Sequence, residues 1–492
     1  MKRLFLQIFI LFFSISAFAA PLSVNSGSLS ELLTDEIRLS ESLTLVGTMN
    51  ARDFETINEE LINLTSLNMQ NVSIEAISSK DLILGTSSSF AANELPANSF
   101  FGLNLSSVVL PSSLTSIGAG AFANSKIESI SIPTSVVSIG SYAFADCDNL
   151  TTLTIPSSVK TIGDYLASGC DNLRSVDMQS SLITEVAPYA FYNCCGLADV
   201  AFPPCLLAIG ESTFAGTSSL SSIILPDNLS VIGDRAFQYS NIDEVSIPAN
   251  TESIGRYAFA NCNNLMSVII DGENPTLGEG VFFYCSKLYS LSFKRQTEIP
   301  DLAYAGTDAL NLKTLDLNTT QSIGRYAFAD NKSEKIEFGS DLTMLDDHAM
   351  EGMIDLTEVI VTSLGSNVPQ VGENVFEGID QPSVQLIVED GSEDVWKTAE
   401  QWKEFNIKNK SDLVGIQSVK EAINVWFEGD LLNILSSNII EDVRLFTIDG
   451  KMIIQKDNNA PTLSIDTSIY SENTFILLVT TTTHVYSFKL IR

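Results

Sequence analysis

Seven cysteines and two histidines are the residues of this 492-residue chain best suited to nucleophilic or metal chemistry. Cys147 stands between Asp146 and Asp148, a setting in which one thiol and two carboxylates could form a small site. A zinc or redox centre needs paired cysteines at motif spacing, and no C-x-x-C occurs. Instead Cys147, Cys170, Cys194, Cys262 and Cys285 each stand three residues after a recurring aromatic position. One shared phase points to inward-facing thiols that pack as small hydrophobes. A Cys147–Cys170 bridge between neighbouring repeats stays open, because an exported chain permits disulfides. His348 and His484 are far apart in the chain, and no nucleophile elbow, zinc signature, phosphate loop or EF-hand sequence is present. The acidic residues are scattered, as on a solvated face. The expectation is a protein that is not an enzyme, with no cofactor, no catalytic residues and no metal site.

Bulk properties restrict the partners. The formal charge of −33 repels phosphate backbones and anionic lipid, so no nucleic acid is expected as partner. With 45% hydrophobic and 18% charged residues, the composition is that of a folded chain. Lys2 and Arg3, the apolar run Leu4 to Phe13 and the small-x-small triplet Ala17-Phe18-Ala19 read as a signal peptide over residues 1–19. That run is too short to span a bilayer, and no later one reaches the roughly 18 residues required. No integral membrane segment is expected in the mature chain. The first cysteine is Cys147, so none follows the cleavage site to carry a lipid.

What must position these residues is a repeat. Phe100, Phe122, Phe144, Ala167, Phe191, Phe214, Phe237, Phe259, Phe282, Tyr304, Phe328, Met350 and Phe376 recur at spacings of 22 to 26 residues. Thirteen copies at a near-constant period define a solenoid, in which stacked coils share a core that no single coil could bury. Four residues before the aromatic, most copies carry glycine, as at Gly118, Gly140, Gly163 and Gly233. Glycine at one phase marks either a corner with positive φ or a close approach of backbone between coils. After the aromatic come apolar residues spaced as Leu150, Leu153 and Ile155, the last two with the alternation of a short strand buried on one face. Proline often follows, as at Pro133 and Pro156, and ends the strand. Ser135, Ser158, Ser181, Cys205, Asn228 and Asn250 share a further phase, read as a ladder of small polar groups satisfying the turn backbone.

The repeat, L-x-x-[IV]-x-[IL]-P-x-S-[VL]-x-x-I-G-x-x-A-F-x-x-C, resembles the BspA-like leucine-rich repeats of bacterial surface proteins over residues 100–388. Residues 44–69, with Leu64, Leu67 and Met69, resemble the start of such arrays, and residues 394–407, with Trp402 and Phe405, the helical segment that closes them. The resemblance implies a leucine-rich-repeat horseshoe with one short parallel β-strand per repeat of about 23 residues. It also implies adhesion, for example to host extracellular-matrix proteins. From about residue 408 the repeat stops and short apolar or alternating strands follow, with Asp449-Gly450 as a tight-turn signal, which suggests a small β-sandwich. This tail resembles the C-terminal sorting domain of the type IX secretion pathway in its hairpin, its late strand and Lys489. Asn473-Thr474-Phe475 stands where that domain has Gly-x-Tyr, and an immunoglobulin-like spacer without a sorting role is the alternative.

The expected organisation is therefore a signal peptide (1–19), an N-terminal cap with a first degenerate repeat (20–99), the repeats (100–388), a helical cap (389–407), a linker (408–422) and an all-β sandwich (423–492). Outward strand positions form the expected binding surface, with Thr152, Thr154, Arg174, Asp177, Ile224, Glu244, Met266, Ile269, Tyr289 and Lys313 as its contact residues. Aromatic, Met and Arg side chains tend to carry interface energy, which favours the larger members. The expected molecule is an exported monomer binding a protein or glycan at the cell surface, and the alternative is a structural spacer or assembly scaffold of the envelope.

Overall fold

A computed structural model of the chain describes residues 20–76, 91–307, 314–413, 424–428, 431–447, 451–468, 474–481 and 485–491. Residues 1–19, read above as a signal peptide, together with Lys313, Asp449-Gly450, Asn473 and His484, lie outside the described residues. The chain divides into two compact units, Met1–Asn409 and Lys410–Arg492.

In the first unit the longer strands mostly turn alternate residues inward. Thr152–Thr154 turns Leu153 inward and both threonines out. It pairs in parallel with Ser175–Asp177, which pairs with Asp199–Ala201. Glu244–Ile247, Ser267–Ile270 and Ser290–Phe293 form the next group. A third runs from Thr314–Leu317 to Asn406–Asn409, so Lys408 and Asn409, which composition assigns to a linker, still belong to the ladder. Beside these runs a second parallel ladder of two-residue strands, repeated thirteen times from Glu94–Leu95 to Gln370–Val371. Most coils thus have two strands, the exceptions including the coils at 127–132 and 220–225, where the longer strand is missing or reduced to the Ser222 bridge. The second, as at Ser138–Ile139, is too short for alternation to register in the sequence.

The aromatic column occupies the turn side of the coil. Successive rings stack at 5.5 Å (Phe214–Phe237), 5.1 Å (Phe237–Phe259) and 5.6 Å (Phe259–Phe282), all fully buried. Backbone bonds between coils knit this side together: Arg235, Phe237 and Tyr239 donate their N–H groups to the carbonyls of Arg256, Ala258 and Ala260 at 2.8, 2.8 and 3.1 Å. Alternate N–H groups all point along the stack because the residues two before and two after the aromatic have positive φ. Tyr142 (+58°) and Asp146 (+55°) flank Phe144, and Arg235 (+54°) and Tyr239 (+60°) flank Phe237. The glycine four residues before the aromatic has no positive φ, so the close-approach alternative holds. A Cβ on Gly233 would lie 2.7 Å from the Gly210 carbonyl carbon and 2.8 Å from the Glu211 nitrogen.

Both ends of the column are covered. Phe54, on the helix Ala51–Glu60, meets Phe100 edge-on at 5.8 Å. That helix begins with a capping box in which Asn50 and Asp53 satisfy each other's backbone. At the far end Trp402 and Phe405 meet Phe376 edge-on at 4.9 and 5.0 Å.

The second unit is all-β, in the form of one antiparallel sheet of Asn424–Glu428, Leu431–Thr447, Met452–Asp466, Thr474–Thr481 and Val485–Ile491. Leu431–Thr447 pairs with the first strand near its start and the fourth near its end, and with the third along its length. Two long strands take up the chain that a two-layer sandwich would divide among several. Leu432, Ile434, Val443, Leu445, Leu477 and Val479 form its buried side. Among the described residues no helix is long and apolar enough to cross a membrane.

Candidate partner-binding face

The outward positions of the longer strands form columns that run from coil to coil. Thr152 aligns with Ser175 and Asp199, and Thr154 with Asp177 and Ala201. Further along, Glu244 aligns with Ser267 and Ser290, and Ser246 with Ile269 and Ser292. Ser222 bridges in parallel to Glu244, which brings Ile224 level with Ser246. The residue before each strand makes a third column: Met266 donates its N–H to the Asp243 carbonyl at 2.7 Å, and Tyr289 to that of Met266 at 3.1 Å. Thr152, Thr154, Arg174, Asp177, Ile224, Glu244, Met266, Ile269 and Tyr289 are all exposed, and Lys313 lies outside the described residues.

Two stretches of this face differ. Around 152–201 the outward groups are small or charged: Thr152, Thr154, Arg174, Asp177 and Asp199. Over the next coils large apolar groups gather: Ile224 is 84% exposed, and Met266 (37%), Ile269 (40%) and Tyr289 (41%) follow on nearby strands. Glu244 lies among them, where partial burial and then the Asp243 charge push its carboxyl above the usual range. Apolar side chains beside a carboxylate offer both contact area and a directional acceptor.

The cysteines are structural. All seven are free thiols, Cys147 and Cys170 included. Cys147, Cys170, Cys194, Cys262 and Cys285 donate to carbonyls of the preceding coil (Phe122, Phe144, Ala167, Phe237 and Phe259) at 3.0 to 3.2 Å. Each thiol therefore satisfies a buried carbonyl at the aromatic position, beyond filling space. Burial pushes the Cys194 and Cys262 thiols up to about 12, which keeps them protonated. The polar ladder acts similarly: Ser135 Oγ donates to Ser112 O at 2.9 Å, and the Asn250 amide to Asp227 O at 2.8 Å. Ser158 Oγ is a buried exception with no partner.

Sequence reasoning missed a second surface on the turn side. Tyr142, Tyr165 and Tyr189 stack at 4.7 and 4.6 Å, and Tyr326 stacks on His348 at 4.7 Å. Tyr257 donates to Glu279 at 2.6 Å, and Arg235 lies over the Tyr257 ring at 5.9 Å. The Tyr257 hydroxyl, then the Arg256 guanidinium, hold the Glu279 carboxyl below its usual range. The recurring tyrosine of SYAF, PYAF and RYAF was the available signal.

The BspA type leucine rich repeat region model matches in six copies, over residues 93–204, 184–311 and 297–410, well over half of the chain. No curated protein matches. Among solved structures, a leucine-rich repeat protein from Bacteroides ovatus is similar with a TM-score of 0.57 at 21% identity, covering 75% of this chain and 88% of that one. A T. pallidum leucine rich repeat protein is 29% identical over 35% of this chain and 82% of its own (TM-score 0.31). A leucine rich cell surface protein from Faecalibacterium prausnitzii is 23% identical over 58% of this chain and 85% of its own (TM-score 0.30). The first of these shows the solenoid fold. The chain belongs to the BspA-type leucine-rich repeat family.

Proposed function

We propose that this chain is an exported, non-enzymatic binding protein whose longer-strand face recognises a protein or glycan at the cell surface, in the manner of an adhesin. The observation that carries this reading is the cluster of exposed Ile224, Met266, Ile269 and Tyr289 on neighbouring strands, which the solenoid does not need for its own packing. Leucine-rich repeats are generally binding scaffolds, and stacked coils make an extended surface suited to a macromolecule. In this reading residues 1–19 are the export leader and the C-terminal sheet is a sorting signal or spacer. The protein acts as a monomer.

The test is solid-phase binding of the full chain to a panel of extracellular-matrix proteins and polysaccharides, with an Ile224→Asp/Tyr289→Ala double variant alongside. The expected result is saturable binding to at least one member, weakened about tenfold or more in the double variant, with unchanged thermal melting. Absence of saturable binding across the panel would leave the spacer reading in its place.

A further inference from the structure

The geometry points to a divalent metal site, of the kind that takes Zn2+, on the turn side of the last two coils, formed by His348, Glu351 and Glu377. His348 and Glu351 belong to the Met350 coil and Glu377 to the Phe376 coil, 26 residues apart at the corresponding position. The backbone brings them together, since His348 donates its N–H to Glu373 O at 2.9 Å and Gly352 to Glu377 O at 2.8 Å. His348 Nδ1 lies 2.8 Å from Glu351 Oε2 and 3.6 Å from Glu377 Oε2, and all three ligand atoms fall within 4.8 Å of one another.

Zinc holds nitrogen and carboxylate oxygen at about 2.0–2.2 Å, so two ligands at a tetrahedral angle are about 3.4 Å apart. The observed separations of 2.8 and 3.6 Å bracket that value. A second observation singles the cluster out from ordinary surface acids. Nδ1 is closed off from solvent, and although it is near both carboxylates no hydrogen bond satisfies it. A ring nitrogen closed off from solvent, set between two like-charged carboxylate oxygens on stacked coils, is the arrangement that a cation would complete. The imidazole is held in place by its left-handed backbone (φ +57°) and by the Tyr326 ring stacked on it. Glu377 also lines an open groove of about 700 Å³ with Asp347, Glu373 and Glu400, an acidic approach for the ion. One imidazole and two carboxylates suit zinc better than calcium or magnesium, which prefer oxygen alone. Bound there, the ion would staple one coil to the next.

The full chain, stripped with chelator, is titrated with ZnCl2 by calorimetry in excess Mg2+, which occupies scattered carboxylates. The expected result is one Zn2+ per chain and a raised melting temperature with zinc. Glu377→Gln, at an exposed side chain, and His348→Asn, a residue that tolerates positive φ, each weaken binding about tenfold or more. Circular dichroism confirms that both variants fold. Absence of a one-to-one event, or variants that bind zinc as the parent does, would overturn the site.

Discussion

The two sides of one coil constrain their residues differently. On the turn side nearly every position has a geometric duty: Phe237 fills the ring column, Arg235 and Tyr239 hold positive φ, Gly233 admits the neighbouring backbone, and Cys262 satisfies the Phe237 carbonyl. On the strand side the inward Val245 and Ile247 are bound to the core, while Glu244 and Ser246 only have to suit water. The solenoid therefore specifies itself mainly from the turn side and leaves the outward strand positions open to selection for a partner. A contrast of that kind has consequences for every substitution.

The sharpest is all-or-none. Maleimide labelling at about pH 8 without denaturant should modify Cys195 readily and leave Cys147, Cys170, Cys194, Cys262 and Cys285 intact, because these five thiols are buried and closed off from the reagent. Mass spectrometry showing all seven modified would contradict the buried turn-side column. Next, Phe237→Ala should cost roughly 3–5 kcal/mol in urea melts, since it opens a cavity between Phe214 and Phe259. Gly233→Ala should cost roughly 1–3 kcal/mol, because its methyl meets main-chain atoms that cannot swing aside.

Tyr304→Phe should work the other way and add about 1 kcal/mol. Its hydroxyl is buried in the ring column without a partner, a defect the sequence carries at a phenylalanine position. On the strand side Ile269→Ser should change stability by no more than about 0.5 kcal/mol, as its side chain points out of the sheet. A loss as large as that of Gly233→Ala would erase the distinction between the sides.

The repeat was legible because its period is written in residue types that have few substitutes. Phenylalanine in a closed column and glycine at a backbone crossing cannot drift without cost, so Phe144 and Gly140 announce their phase. The two-residue strands were hidden, since Ser138–Ile139 offers one inward residue and no alternation to detect. The tyrosine ladder was hidden for another reason: Tyr142, Tyr165 and Tyr189 are visible in the sequence, but only stacking at 4.6 to 4.7 Å shows that they touch. The choice between positive φ and close approach for the glycines also needed the folded backbone. The positive φ fell two residues before and after the aromatic instead, on residues as varied as Tyr142, Asp146, Asn193, Arg235 and His348 and on glycines of that other phase such as Gly169.

By itself the sequence determined the solenoid, the inward phase of its thiols, the outward strand columns and an all-β tail. These follow from periodicity, because each repeat is a local pattern read many times over. Only the tertiary structure decided which outward residues become neighbours. Ile224 and Ile269 are 45 residues apart, as His348 and Glu377 are 29 apart, yet stacking at one coil rise per repeat puts each set on one surface. The meeting of the His348 ring nitrogen with Glu351 and Glu377, like the exposed patch around Ile224, exists only once the coils have been laid on one another.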